Sequence, residues 1–70
     1  MLCFVMLPGK DIIRVEQNGL VPLTGEWVRI DSNIYKVVAV RKDYYDWGMG
    51  INVFVKKGEQ ELIETVEAIT

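Results

Sequence analysis

Apolar residues in this chain fall into short runs, broken at intervals of roughly ten residues by turn formers. The breaks are Pro8-Gly9, Asn18-Gly19, Thr24-Gly25, Ser32-Asn33, Gly48-Met49-Gly50 and Lys57-Gly58. Runs that short suit strands better than helices. They are rich in Val, Ile, Tyr, Trp and Phe, side chains whose shapes pack on a pleated surface. The pattern predicts strands at about residues 11 to 16, 26 to 31, 34 to 41 and 51 to 56.

A two-residue hairpin loop at Ser32-Asn33 fixes the register on both sides of it. Ile30 then faces Tyr35 and Val28 faces Val37, with Ala39 continuing the same inward face. Trp27, Arg29 and Asp31 fall on the outer face against Val38, Lys36 and Ile34. Arg29 opposite Lys36 is a like-charge pair, able to hold an anion or a partner carboxylate unless Asp31 or Glu26 screens it. Residues 51 to 57 alternate, with Ile51, Val53 and Val55 on one face and Asn52, Phe54 and Lys56 on the other. The expected core is therefore Val28, Ile30, Tyr35, Val37, Ile51, Val53 and Val55. Phe54 needs cover from a second layer or another chain. Pro22 cannot donate to a ladder, so Leu20 to Leu23 is expected at an edge or in irregular chain.

Two segments leave alternatives open. Met1 to Leu7 is apolar but too short to span a bilayer, and it lacks the basic start and small-residue cleavage site of a secretory signal. It is either an extra strand or an end covered by another subunit, with Leu2, Phe4 and the outward Phe54 as the oligomer contacts. In the tail from Glu61 to Thr70, Leu62, Ile63, Val66 and Ile69 form a helical stripe, whereas Ile63, Thr65 and Val66 favour a strand after a turn at Lys57-Gly58-Glu59. Four to five short antiparallel strands, with a C-terminal strand or short helix, make a mostly β fold, a small SH3-like barrel or β-roll. No linker or repeat divides the chain, so residues 1 to 70 read as one domain.

Composition acts mainly by exclusion. Half of the 70 residues are hydrophobic, enough to fold, yet a chain this short buries only about 60% of its unfolded surface. The apolar surplus therefore points to a homo-oligomer. There is no histidine and one cysteine, Cys3, which removes intrachain disulfides, structural zinc sites, His-based general bases and the Ser-His-Asp and Cys-His arrangements. A free thiol among apolar neighbours reads as inert and fits a reducing cytoplasm.

A net charge of −2 gives no general attraction to phosphate backbones and argues against nucleic acid as a partner. The charge is uneven. Residues 1 to 42 hold Lys10, Arg14, Arg29, Lys36, Arg41 and Lys42 against Asp11, Glu16, Glu26 and Asp31, a balance of +2. Residues 43 to 70 hold Lys56 and Lys57 against Asp43, Asp46, Glu59, Glu61, Glu64 and Glu67, a balance of −4. Opposed halves can orient a polar partner or a neighbouring subunit.

No motif supplies chemistry. Pro8-Gly9-Lys10-Asp11 lacks the upstream glycine and the following Ser or Thr of a phosphate-binding loop, and Gly48-Met49-Gly50 lacks the third glycine and helix of a dinucleotide fingerprint. The acidic pairs sit among polar residues, where neither carboxyl would be buried to act as an acid. No enzyme, cofactor or metal is implied.

The remaining feature is Asp43-Tyr44-Tyr45-Asp46-Trp47-Gly48-Met49-Gly50, a connection longer than a tight hairpin requires. Three aromatics and a methionine between acids and glycines match the make-up of recognition surfaces, so Tyr44, Tyr45, Asp46, Trp47 and Met49 are the expected partner contacts. The competing reading folds Tyr44 or Trp47 back as a lid on the barrel end. Stacking of bases beside Arg41 and Lys42 is opposed by the flanking acids.

Glu26-Trp27-Val28-Arg29-Ile30-Asp31, then Tyr35-Lys36-Val37-Val38-Ala39-Val40, then Asn52-Val53-Phe54-Val55-Lys56-Lys57 resembles a pattern in small bacteriophage β-barrel proteins, most of all head-to-tail joining and minor virion proteins. The similarity covers about residues 25 to 57. It implies a non-enzymatic protein-interaction module that works as part of a ring in the virion. Size and acidity suit equally a phage inhibitor of a host defence protein, or a sponge for its nucleotide signal, in the host cytoplasm. Either way the expected partners are further copies of the chain and another protein, viral or host, with no membrane.

Overall fold

The computed structural model of the chain describes residues 1–58, and its strands form a single sheet. These are β1 (Leu2–Met6), β2 (Asp11–Glu16), β3 (Trp27–Ile30), β4 (Asn33–Tyr45) and β5 (Gly48–Lys57). They lie in the order β2-β1-β5-β4-β3, curled into a half-barrel, so the expected small all-β barrel-like fold is present. The tail in which helix and strand compete lies outside the described residues.

One neighbouring pair is parallel. The N-terminal run enters the middle of the sheet as β1, antiparallel to β2 and parallel to β5, with Leu2 beside Ile51 and Met6 beside Val55. A strand with a neighbour on each side that is covered on both faces loses the polar alternation of a half-exposed one. Leu-Cys-Phe-Val-Met is such a run, with Leu2 and Phe4 buried toward the concave side and Val5 buried on the other face.

The β3–β4 hairpin turns at Asp31-Ser32 rather than Ser32-Asn33, so Ile30 faces Asn33 and Val28 faces Tyr35. Asp31 takes φ 55°, a left-handed conformation that a short polar side chain tolerates. Moving a partner by two positions preserves the face, which is why the inward residues stay inward although the pairings change. The expectation for Ala39 fails for a different reason. A bulge between Val37 and Ala39 inserts Val38, turns Ala39 outward to an exposed position and brings Val40 against the core. Around that bulge, the Val37 amide donates to the Glu26 carbonyl at 2.9 Å and the Gly25 amide to the Val37 carbonyl at 2.8 Å. The Glu26 carboxylate in turn accepts from the Leu23 amide.

The core comprises Leu2, Phe4, Ile30, Tyr35, Val37, Val53 and Val55 on the concave side. Val28 and Ile51, expected inside it, are half-buried at its margin. Each fully buried valine contributes roughly 1.5 to 3 kcal/mol relative to an exposed one. Leu20 to Leu23 is irregular, and Leu20 is 96% exposed.

Candidate functional site

The aromatic segment 43–50 is not a loop. Strands β4 and β5 run through it, pairing Asp43 with Gly50, Tyr44 with Met49 and Tyr45 with Gly48, and leave only Asp46 and Trp47 as the turn. Cross-strand parity puts Tyr45, Gly48 and Gly50 on the convex face and Tyr44 and Met49 on the concave one. Gly48 has φ 145°, a region that side chains rarely enter, and so lets the return strand start directly after the turn. A Cβ at Gly50 would lie 3.4 Å from Cε2 of Tyr45, so the bare backbone there is the surface on which that ring lies. Trp47 then stacks on Tyr45, with ring centroids 4.8 Å apart and planes 7° from parallel. Nothing folds back as a lid: Tyr44 is 76% exposed, Trp47 72%, Tyr45 50% and Met49 39%. Asp46 is exposed in the turn between them. The five residues expected to contact a partner thus converge on one hairpin tip.

The other expected sites are redistributed. Leu2 and Phe4, expected at an oligomer contact, are delivered by β1 to the chain's own core. Phe54 is half-buried on the convex face, with the Arg41 guanidinium 5.3 Å from its ring centre. Arg29 is opposite Ile34 rather than Lys36, since the turn sits one residue earlier than expected. Lys36 instead faces Trp27, its Nζ 6.0 Å from the ring centre, and on its other side it faces Lys56. The like-charge pair therefore exists, with Lys56 in the place of Arg29.

One polar cluster was not anticipated. Asp43, half-buried, accepts a hydrogen bond from Asn52 Nδ2 at 2.7 Å and from Arg41 Nε at 3.2 Å. Alternation alone puts Arg41 and Asp43 on one face, but Asn52 comes opposite Arg41 only through the bulge.

On the concave side a cleft of about 470 Å³ opens where β2 and β3, the two edge strands, approach without pairing. Phe4, Val28 and Ile30 supply apolar lining. Arg14 is also in the lining, its guanidinium held by Glu16 with Nε 2.6 Å from Oε1. Such a cleft can shelter an apolar group but presents no nucleophile or acid-base pair. Among the described residues there is no cluster of three or more metal-ligating side chains, and no helix is long and apolar enough to cross a membrane. No protein-family model matches the chain, and no curated protein or solved structure matches it either.

Proposed function

We propose that the protein is a non-enzymatic interaction module that grips a protein partner with the tip of its β4–β5 hairpin. The observation that carries this reading is the exposure of Tyr44, Tyr45, Trp47 and Met49 together around a two-residue turn. Large aromatics left in water are costly unless another surface covers them, and such residues dominate the energetics of protein interfaces. The Tyr45–Trp47 stack is already formed, so little side-chain freedom is lost when a partner closes on it. In the phage setting implied by the resemblance over residues 25 to 57, that partner is a neighbouring virion protein, a second copy of this chain or a host defence protein.

The test begins with the full chain immobilised to capture binders from an infected-host lysate, together with its mass in solution as a function of concentration. Affinity for the identified binder, or for itself, is then measured for the parent, Tyr45→Ala and Trp47→Ala. We expect at least one variant to lose more than about 2 kcal/mol, roughly 30-fold, with melting within a few degrees of the parent. Unchanged binding in both variants would overturn the reading, as would unfolding of both.

A further inference from the structure

On the reading of the hairpin tip as the partner contact, we infer that Gly50 and the Asp43–Asn52 pair are positioning residues, which set the Tyr45–Trp47 stack in the free protein without meeting the partner themselves. The last rungs of the β4–β5 ladder, Asp43–Gly50, Tyr44–Met49 and Tyr45–Gly48, have no third strand beside them. β1 joins β5 only from Ile51 onward, and β3 pairs with β4 no further than Lys36. Two strands alone are marginal in water, so the geometry of the aromatics has to be set by contacts inside the tip. Two such contacts are present.

The first is a clamp beneath the aromatics. Asn52 stands opposite Arg41 and reaches diagonally across the ladder, where its Nδ2 donates to Asp43 Oδ2 at 2.7 Å. Arg41 holds the same carboxylate from along β4, with Nε 3.1 Å from Oδ1 and 3.2 Å from Oδ2. Hydrogen bonds to an ionised acceptor are the stronger kind, and Asp43 and Asn52 are both half-buried, which limits screening. One carboxylate thus ties the two strands together immediately before Tyr44 and Tyr45.

The second is a seat. Gly50, opposite Asp43, lies diagonally from Tyr45 on the same face, and a Cβ there would stand 3.4 Å from Tyr45 Cε2. Carbons attract best at about 3.5 to 4.0 Å, so a side chain any larger would claim the space of the ring. The backbone does not ask for glycine here, because the positive φ of the return strand belongs to Gly48 and not to Gly50. A glycine inside a strand weakens it, and one without a backbone need marks a close approach. What approaches is the Tyr45 ring. The indole of Trp47 stacks on that ring with its plane 7° from parallel, so the seat fixes where Trp47 stands.

The test uses the full chain and separates position from stability. In nuclear magnetic resonance spectra of the free protein, Tyr45 ring protons and Gly50 α-protons should carry ring-current shifts, the first from the stack and the second from the seat. Gly50→Val should abolish the Tyr45 shifts yet melt at or above the parent temperature, because a β-branched residue suits a strand better than glycine. Asp43→Ala and Asn52→Ala should reduce the shifts, whereas Asp43→Asn, which keeps an acceptor for Asn52, should retain most of them. Affinity is then measured for the binder that the immobilised parent captures and Trp47→Ala does not. It should fall at least about tenfold in Gly50→Val and about fivefold in Asn52→Ala. Parent-like Tyr45 shifts in Gly50→Val overturn the inference, as does parent-like affinity in a variant whose shifts are lost. Melting of Gly50→Val well below the parent also overturns it, by making Gly50 a residue of the fold. A binder held equally by Trp47→Ala removes the tip as the contact, and the free-protein spectra then decide by themselves whether Gly50 and Asn52 set the stack.

Discussion

Strands β4 and β5 form one ladder whose two ends have opposite fates. At the base, Val37, Val53 and Val55 have no exposed surface, whereas at the tip Tyr44 and Trp47 keep about three quarters of theirs. Backbone pairing runs from Tyr35–Lys57 to Tyr45–Gly48 with one interruption, the bulge at Val38, and resumes through the tip, so the hydrogen-bond ladder does not separate the two ends. Lateral neighbours do. β1 flanks β5 from Ile51 to Val55 and β3 flanks β4 from Asn33 to Lys36, but neither reaches the last rungs. Two strands alone cannot enclose an apolar side chain. Tyr35 and Tyr44 show the consequence within one strand: the first is 7% exposed in the core, the second 76% exposed in solvent. Burial here is decided by whether a third strand lies alongside, and residue type follows that only loosely.

The comparison breaks most severely if the base is hollowed. Phe4 pairs with Val53 across the β1–β5 boundary, and Phe4→Ala should cost about 3 to 5 kcal/mol in denaturant unfolding, enough to unfold a marginal domain. A loss below about 1 kcal/mol would show that the core lies elsewhere. At the other end, Gly48→Ala forces a side chain into φ 145° and should cost about 1 to 3 kcal/mol, a backbone penalty in a region where side-chain truncations cost little. If Gly48→Ala melts like the parent, the tip's turn is not fixed by that glycine. The smallest effect is expected midway. Asn52→Ala removes the 2.7 Å bond to Asp43 and should cost about 1 kcal/mol. Its sharper signature is local: amide exchange should quicken over the rungs from Asp43 to Gly50 and stay unchanged at Val53 and Val55.

Most of the sheet was legible in the sequence because strands of this kind announce themselves by alternation. The predicted limits of β2 match those observed, and the inward residues of β3, of β5 and of β4 as far as Val37 were identified even though the hairpin loop was misplaced. An error of two positions is invisible to facing. The bulge at Val38 was not legible, since Val37-Val38-Ala39-Val40 offers apolar residues to either face and only the pairing of Glu26 and Gly25 with Val37 decides between them. The role of β1 was left open because an unbroken apolar run fits a doubly covered strand as well as an interface. For the hairpin tip, composition identified the right residues but suggested a loop, because glycines usually mark one, whereas here Gly50 lies within a strand as the floor beneath Tyr45.

The parallel pairing of β1 with β5 also governs how the protein comes to be folded. β1 is made well before β5, and its ladder with residues 51 to 55 waits until β5 has been synthesised. Contacts of such long sequence separation close slowly, because loop entropy is lost before they repay it. Until then Leu2, Phe4 and Val5 can pair only with β2, which leaves one edge of an apolar strand open to other chains. The most hydrophobic stretch of the molecule is thus its most vulnerable during synthesis, and the arrival of β5 is the event that closes that edge.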